Sequence, residues 1–356
     1  MEEILYIQEF YHYTIIFLVV CIIFSWLSYW DGVWKKFLIF SSLVFASFSV
    51  YYLGNRDSSI GVDTSNYKYT FYLYEHAESF VFRKDFLFDL LTYLFAKVTE
   101  FNYFLMFCAF VYVYGVWYGL RKIFGINLFL AFSIFIIYPY FFQMGINVMR
   151  SGMAASIFIV AVGLYYKNQN QWKVIALLMI SLLIHLSMLL PLIVFLLTKK
   201  LIRNTSIVLS LWLFSILLGS LKINFLPAIV NQFVLLGERF GSYTQINEES
   251  NAWSNFIIFG IFPVIFGCYN IFIKKFKDPF YMRLINSYML IHIPYIVLIN
   301  SEFSLRLGYL AEFMMPILIL YPFVYNPSIQ MNLYRFKLSV LFFVIFIIKA
   351  YKILIV

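Results

Sequence analysis

The chain has 356 residues, 63% of them apolar and only 12% charged, with a mean hydropathy of +0.86 and a formal net charge of +9. A soluble domain carries roughly a quarter charged residues, so a soluble enzyme or binding module is excluded. Nucleic acid as a partner is excluded too, because no basic domain lies outside the apolar runs. The runs are about 20 residues long, enough to cross a hydrocarbon core of roughly 30 Å, and they predict an all-α polytopic membrane protein with about 10–11 transmembrane helices. A β-barrel would alternate polar and apolar residues instead. The excess of positive charge suits cytoplasmic loops beside anionic lipid and an anionic substrate.

The start, Met1-Glu2-Glu3, is acidic and the first apolar run has no small-residue cleavage site, so no cleavable signal peptide is expected. Spans are predicted over 11–29 and 37–53, joined by Asp31–Lys36, with Trp26, Trp30 and Trp34 suited to the interfacial aromatic belt. A polar island follows, Arg56-Asp57-Ser58-Ser59-Ile60-Gly61-Val62-Asp63-Thr64-Ser65-Asn66-Tyr67, and the stretch Tyr67–Lys84 is too charged to enter lipid. Residues 85–99 place Asp85 and Asp89 among Phe and Leu, and predict a helix in the interface or packed on the bundle.

Further spans are predicted over 101–120, 128–144 and 151–166. Residues 173–198 are apolar but interrupted by His185, Ser187 and Pro191, and predict a broken or re-entrant segment. Later spans fall at 205–221, 253–273, 282–300, 308–325 and 337–356, with a longer polar loop at 222–252 that contains Glu238, Arg239 and Tyr243. The chain is read as one integral membrane domain, 1–356, carrying a polar loop and interfacial helix at 54–100 and a second loop at 222–252. If 31–36 is cytoplasmic and 173–198 turns back, the cytoplasmic loops hold more than half of the 26 basic residues. The polar island, the Asn147/Arg150 turn, the 222–252 loop and Ser301–Arg306 then share the opposite face.

Several polar residues point to chemistry. Arg56 offers a fixed fork of donors for phosphate or carboxylate, and Asp63 can orient it or take a proton from a hydroxyl; a loop salt bridge with Gly61 and Asn66 as turn residues is the plain alternative. Arg150 follows Asn147 and opens a run of small residues, Ser151–Ser156, that permits close helix contact. It reads either as a snorkelling anchor or as an anion-binding cation above a helix N-terminus. His185 lies well inside an apolar run, where an ionisable side chain is a functional candidate or a packed core histidine. Glu302 and Arg306, four apart, share a helix face, and Glu312 falls within the next apolar run. Tyr67, Tyr243 and Tyr309 are candidate sugar-stacking rings among 29 tyrosines. The three cysteines, Cys21, Cys108 and Cys268, all sit in apolar runs without paired spacing and read as packing residues. The sequence has no metal signature, no P-loop and no dinucleotide fingerprint, so neither a metal nor another cofactor is expected.

In this order, Arg56, Gly61-Val62-Asp63-Thr64, Asn66-Tyr67, Asn147, Arg150, His185-x-Ser187 and Arg306, the set resembles the Wzy-type polysaccharide polymerases of O-antigen and capsule synthesis, specifically the EpsG-like branch. The resemblance covers about residues 54–315. Ser151 stands where many relatives have Gln, and position 62 varies mildly. The resemblance implies a GT-C-like architecture and a metal-independent glycosyltransferase of the bacterial inner (cytoplasmic) membrane, multi-pass, with its site facing the periplasm. Donor and acceptor would be undecaprenyl-pyrophosphate-linked oligosaccharides, within the lipid bilayer and alongside a chain-length regulator protein. Arg56, Arg150 and Arg306 would hold pyrophosphate, while Asn66, Tyr67, Asn147 and Tyr243 would contact sugar. His185, Asp63 or Glu302 would deprotonate the acceptor hydroxyl, with His185 and Asp63 not separable at this stage. A flippase or exporter of the same lipid-linked sugar, or an O-antigen ligase, is the alternative reading.

Overall fold

A computed structural model describes residues 2–27, 34–82, 85–222, 252–301 and 304–326. All regular elements among them are helical, as hydrocarbon demands of a backbone that finds no water to bond. Five helical stretches are long and apolar enough to cross a membrane: Glu3–Cys21, Lys36–Gly54, Phe101–Ile137, Met149–Tyr166 and Ser304–Tyr325. Four shorter apolar helices accompany them, Gln171–Ile184, Leu186–Lys199, Thr205–Ser220 and Ile261–Ile273. The chain is an all-α, multi-pass membrane protein. Tyr243, Glu238, Arg239, Glu302 and the predicted span 337–356 lie outside the described residues.

The described chain forms two compact units, meeting in sequence at Met188 and Leu189. The first unit contains α1 (Glu2–Leu27), α2 (Trp34–Gly54), α3 (Thr64–Glu75), α4 (Phe86–Val98), α5 (Phe101–Phe124), α6 (Leu128–Ile137), α7 (Pro139–Ile146), α8 (Met149–Tyr166) and α9 (Gln171–Ile184). Helix α1 starts ahead of the predicted span, with Glu3 in its first turn, where negative charge complements the helix dipole. Helix α5 is the axis of the unit, packed by α2, α4, α6 and α8. Its contact with α8 is backbone to backbone: a Cβ on Gly119 would lie 2.8 Å from the Ile159 carbonyl oxygen, and one on Gly163 2.7 Å from that of Gly119.

The predicted span 128–144 is realised as two helices. Tyr138 is extended (ψ 131°) and Pro139 opens α7, because proline lacks a donor and drives the residue before it out of helical space. The end of the polar island and the first part of the charged stretch after it form one helix, α3. It buries Thr64, Tyr67, Phe71 and Tyr74, a spacing of three and four residues that defines one face. Helix α4 buries Phe88, Asp89, Thr92 and Ala96 and packs on α3, α5 and α9, as the sequence predicts. Lys97 of α4 donates to the carbonyls of Glu75 (2.9 Å) and Ala77 (2.6 Å), satisfying the open end of α3. The break in 173–198 falls at His185, which is extended (φ −151°, ψ 114°) and followed by a single 3₁₀ turn, Leu186–Met188.

The second unit holds α10 (Leu189–Lys200), α11 (Thr205–Ser220), α12 (Ala252–Asn255), α13 (Ile261–Cys268), α14 (Pro279–Val297), α15 (Ser304–Glu312) and α16 (Met315–Tyr325). Wide π-helical turns, Phe256–Gly260 and Tyr269–Ile273, flank α13. Helix α14 is the centre here, contacted by α10, α11, α13, α15 and α16. Cys21 and Cys108 are buried, Cys268 is half-buried, and all three are free thiols.

Candidate functional site

The polar island folds back on the junction between α7 and α8. Gly61 has φ +95°, and a Cβ there would lie 2.3 Å from Ile146 Cγ2 and 2.9 Å from Asn147 Oδ1. Only glycine meets both demands, a left-handed backbone and a close approach. Beneath the loop, Arg56 is 2% exposed. It donates to the carbonyl of Leu53, to that of Ile146 (3.4 Å) and to Met149 sulfur (3.7 Å). Those carbonyls belong to the last turns of α2 and α7, where a cation complements the helix dipole. Burial lowers the Arg56 guanidinium to about 10, so it keeps its charge at neutral pH. The predicted alternative for Arg56 was an ion pair with Asp63; backbone carbonyls hold it instead, because the loop's turn at Gly61 seats it against two helix ends.

Asp85 is the centre of the second cluster. Its carboxylate is 2% exposed and takes three bonds: from Arg150 Nη1 (2.8 Å) and the His185 Nδ1 position (3.2 Å), both at Oδ2, and from the Leu186 backbone N–H (3.1 Å) at Oδ1. Arg150 and His185 are 22% and 18% exposed, so each shows one edge outward while Asp85 lies behind them. The guanidinium lies between the rings of Tyr67 and Phe88, 5.8 Å from each centroid, a placement favoured by the ring quadrupoles. Burial pushes the Asp85 carboxyl up, but the His185 bond and charge, the Arg150 charge and the Leu186 N–H outweigh it, and the net direction is downward. The carboxylate is ionised at neutral pH. Burial raises the Tyr67 phenol against the pull of Arg150.

The remaining predicted residues take separate places. Asp63 is half-buried at the N-cap of α3 and makes no side-chain cap bond. Asn66 is exposed on the same helix. Tyr67 donates its hydroxyl to the Asn147 carbonyl (3.3 Å), tying α3 to the start of α8. Asn147 is buried, its amide shared between Gln143 Oε1 (2.9 Å) and Glu3 Oε1 (3.3 Å). Thus Tyr67, Asn147 and Arg150 come together around the cluster with His185. Asp85 was read in the sequence only as the edge of an amphipathic helix; its signal was a pair of carboxylates four apart, Asp85 and Asp89, on a helix face otherwise apolar.

In the second unit Arg306 is exposed on α15. Glu312, flagged by its place in an apolar run, is 3.5 Å from Nε2 of His292 on α14, with both side chains at most 1% exposed. His292 packs among the rings of Phe256, Tyr288 and Tyr295 at 5.1–5.5 Å. This pair joins α14 to α15; His292 carries the same signal as His185, an ionisable group inside an apolar run, but was not singled out in the sequence.

The outward edges of Arg150 and His185 offer a fixed positive charge and an imidazole side by side, backed by a buried anion. Such a site can receive an anionic leaving group and a proton in one event. Residues 39–355 match the model of the EpsG family. No curated protein and no solved structure matches the chain significantly.

Proposed function

The chain belongs to the EpsG family, and from that premise we propose that it is a polysaccharide polymerase acting on lipid-linked oligosaccharides at the periplasmic face of the bacterial inner membrane. The growing glycan, carried on undecaprenyl pyrophosphate, is transferred to the non-reducing end of a lipid-linked repeat unit. The acceptor hydroxyl loses its proton to His185 as its oxygen bonds the donor's anomeric carbon. The bond from that carbon to the pyrophosphate oxygen breaks, and the electron pair leaves on the pyrophosphate. Arg150 faces this developing charge, supplying what a divalent cation supplies in other transferases. Asp63 and Glu302 stand as the other candidate bases, Arg306 as a further phosphate contact, and Asn66, Tyr67 and Asn147 as sugar contacts. Arg56, enclosed by helix-end carbonyls, has a structural role in this scheme.

The observation that carries the reading is the convergence of Arg150 and His185, from distant parts of the sequence, on one buried carboxylate. The test is a gel of surface polysaccharide from a strain lacking the protein, complemented with wild type or Arg150→Ala. The proposal expects long chains with wild type, and a single repeat unit with R150A at equal membrane abundance. Normal chain length with R150A would remove Arg150 from the chemistry, and a strain lacking all surface repeat units would favour export or ligation.

A further inference from the structure

Asp85 occupies the N-cap position of α4, yet its side chain makes no cap bond. An N-cap aspartate ordinarily accepts an N–H from its own helix, and losing that bond costs stability. Here the side chain turns away from α4 and reaches α8 and the α9 break. Asp89 accepts the Asp85 N–H (3.2 Å), which fixes the backbone from which the carboxylate projects. The Leu186 N–H that holds Oδ1 is available because the chain is extended at His185 and leaves helical bonding there. Arg150, His185 and Leu186 therefore approach this carboxylate from α8 and from the α9 break, while α4 itself holds only its stem.

We infer that Asp85 is the positioning residue of the transfer site: it holds the His185 ring with the proton on Nδ1, so that Nε2 is the atom that accepts the acceptor's proton. An ionised carboxylate is an acceptor only, so the bond at Nδ1 requires that nitrogen to carry hydrogen. In the neutral ring Nε2 is then the lone-pair nitrogen. Asp85 has a second effect on the same step. When Nε2 takes the proton, the imidazolium stands beside the Arg150 guanidinium, and the shared carboxylate lies against both cations. The arrangement distinguishes His185 from Asp63, which makes no side-chain cap bond and has no comparable orienting partner among the described residues. The kinetic consequence rests on the polymerase reading; the ring assignment rests on geometry alone.

The experiment uses full-length protein in detergent or nanodiscs with ¹⁵N-labelled histidine. The chain has 4 histidines, and His185→Gln identifies the resonance of interest. Wild type is expected to show His185 as the Nδ1–H tautomer, and Asp85→Asn, whose amide can donate, to move the proton to Nε2. A neutral wild-type ring with its proton on Nε2 overturns the inference whether or not any variant folds. In transfer assays D85N is expected to lower kcat by roughly 10²–10⁴-fold with a much smaller change in acceptor KM. A folded D85N within threefold of wild-type kcat also overturns it. If wild-type protein shows no transfer at all while the tautomer is as expected, the polymerase reading fails and the positioning geometry stands.

Discussion

Arg56 and Arg150 bring the same guanidinium into different surroundings, and the difference decides their roles. Arg56 is enclosed and bonded to carbonyls at two helix ends, whereas Arg150 keeps one edge open and balances its charge against Asp85. Removing Arg56 leaves those buried acceptors without a donor, a loss of about 1–3 kcal/mol. Arg56→Ala is therefore expected to lower the melting temperature in detergent while the folded fraction keeps the wild-type donor KM. A raised KM with unchanged melting would instead assign Arg56 to phosphate. Asp85 makes a prediction of its own. Its carboxyl is held below the ordinary value, so its contribution to stability is complete above the unfolded pKa of about 4. That contribution is lost as pH falls through the lower folded value. Melting temperature measured from neutral to acidic pH should show this loss in wild type, and D85N should lack it. His185 was legible in the sequence because an ionisable group costs too much in an apolar run to stand there idly, and Arg150 because it follows Asn147 and opens a run of small residues. Asp85 was not, since beside a charged loop a carboxylate is ordinary.

Among the elements, the helical runs announced themselves by length and composition, but their interruptions did so unequally. The proline that divides α6 from α7 and the polar residues that break the chain at His185 both act through local backbone chemistry, which a sequence displays. The fit of α5 on α8 is different in kind. Small residues over Ser151–Ser156 advertised close contact for α8, but the partner glycines Gly115 and Gly119, four apart on α5, acquire meaning only once the pairing is known. The seam they make leaves no room for a side chain. In Gly119→Leu the first carbon alone would lie 2.6 Å from Ile159 Cγ2, and overpacking of this kind costs about 1–3 kcal/mol or more. Reduced folded yield in size-exclusion chromatography is the expected result, with the mirror change Gly125→Ala, where a Cβ meets nothing within 4 Å, affecting only the turn's positive φ. Normal yield and melting for G119L would mean the two helices separate readily.

At the scale of the molecule, composition settles the class, and the length of the apolar runs places most of the helices. What composition cannot deliver is assembly: Asp85, Arg150 and His185 are far apart in the chain, and only the packing of α4, α8 and α9 within the first unit makes them neighbours. The polar island shows the same division. Its content marked it as functional ground, while the fold encloses its arginine among helix-end carbonyls and gathers the ionised cluster from residues further on. The α5–α8 seam also bears on traffic. On the reading proposed above, a substrate with a long isoprenoid tail reaches the site sideways, sliding between helices from the surrounding lipid. The backbone contacts at Gly119 and Gly163 leave no gap between α5 and α8 for such a tail, so on that reading the lipid enters along some other edge.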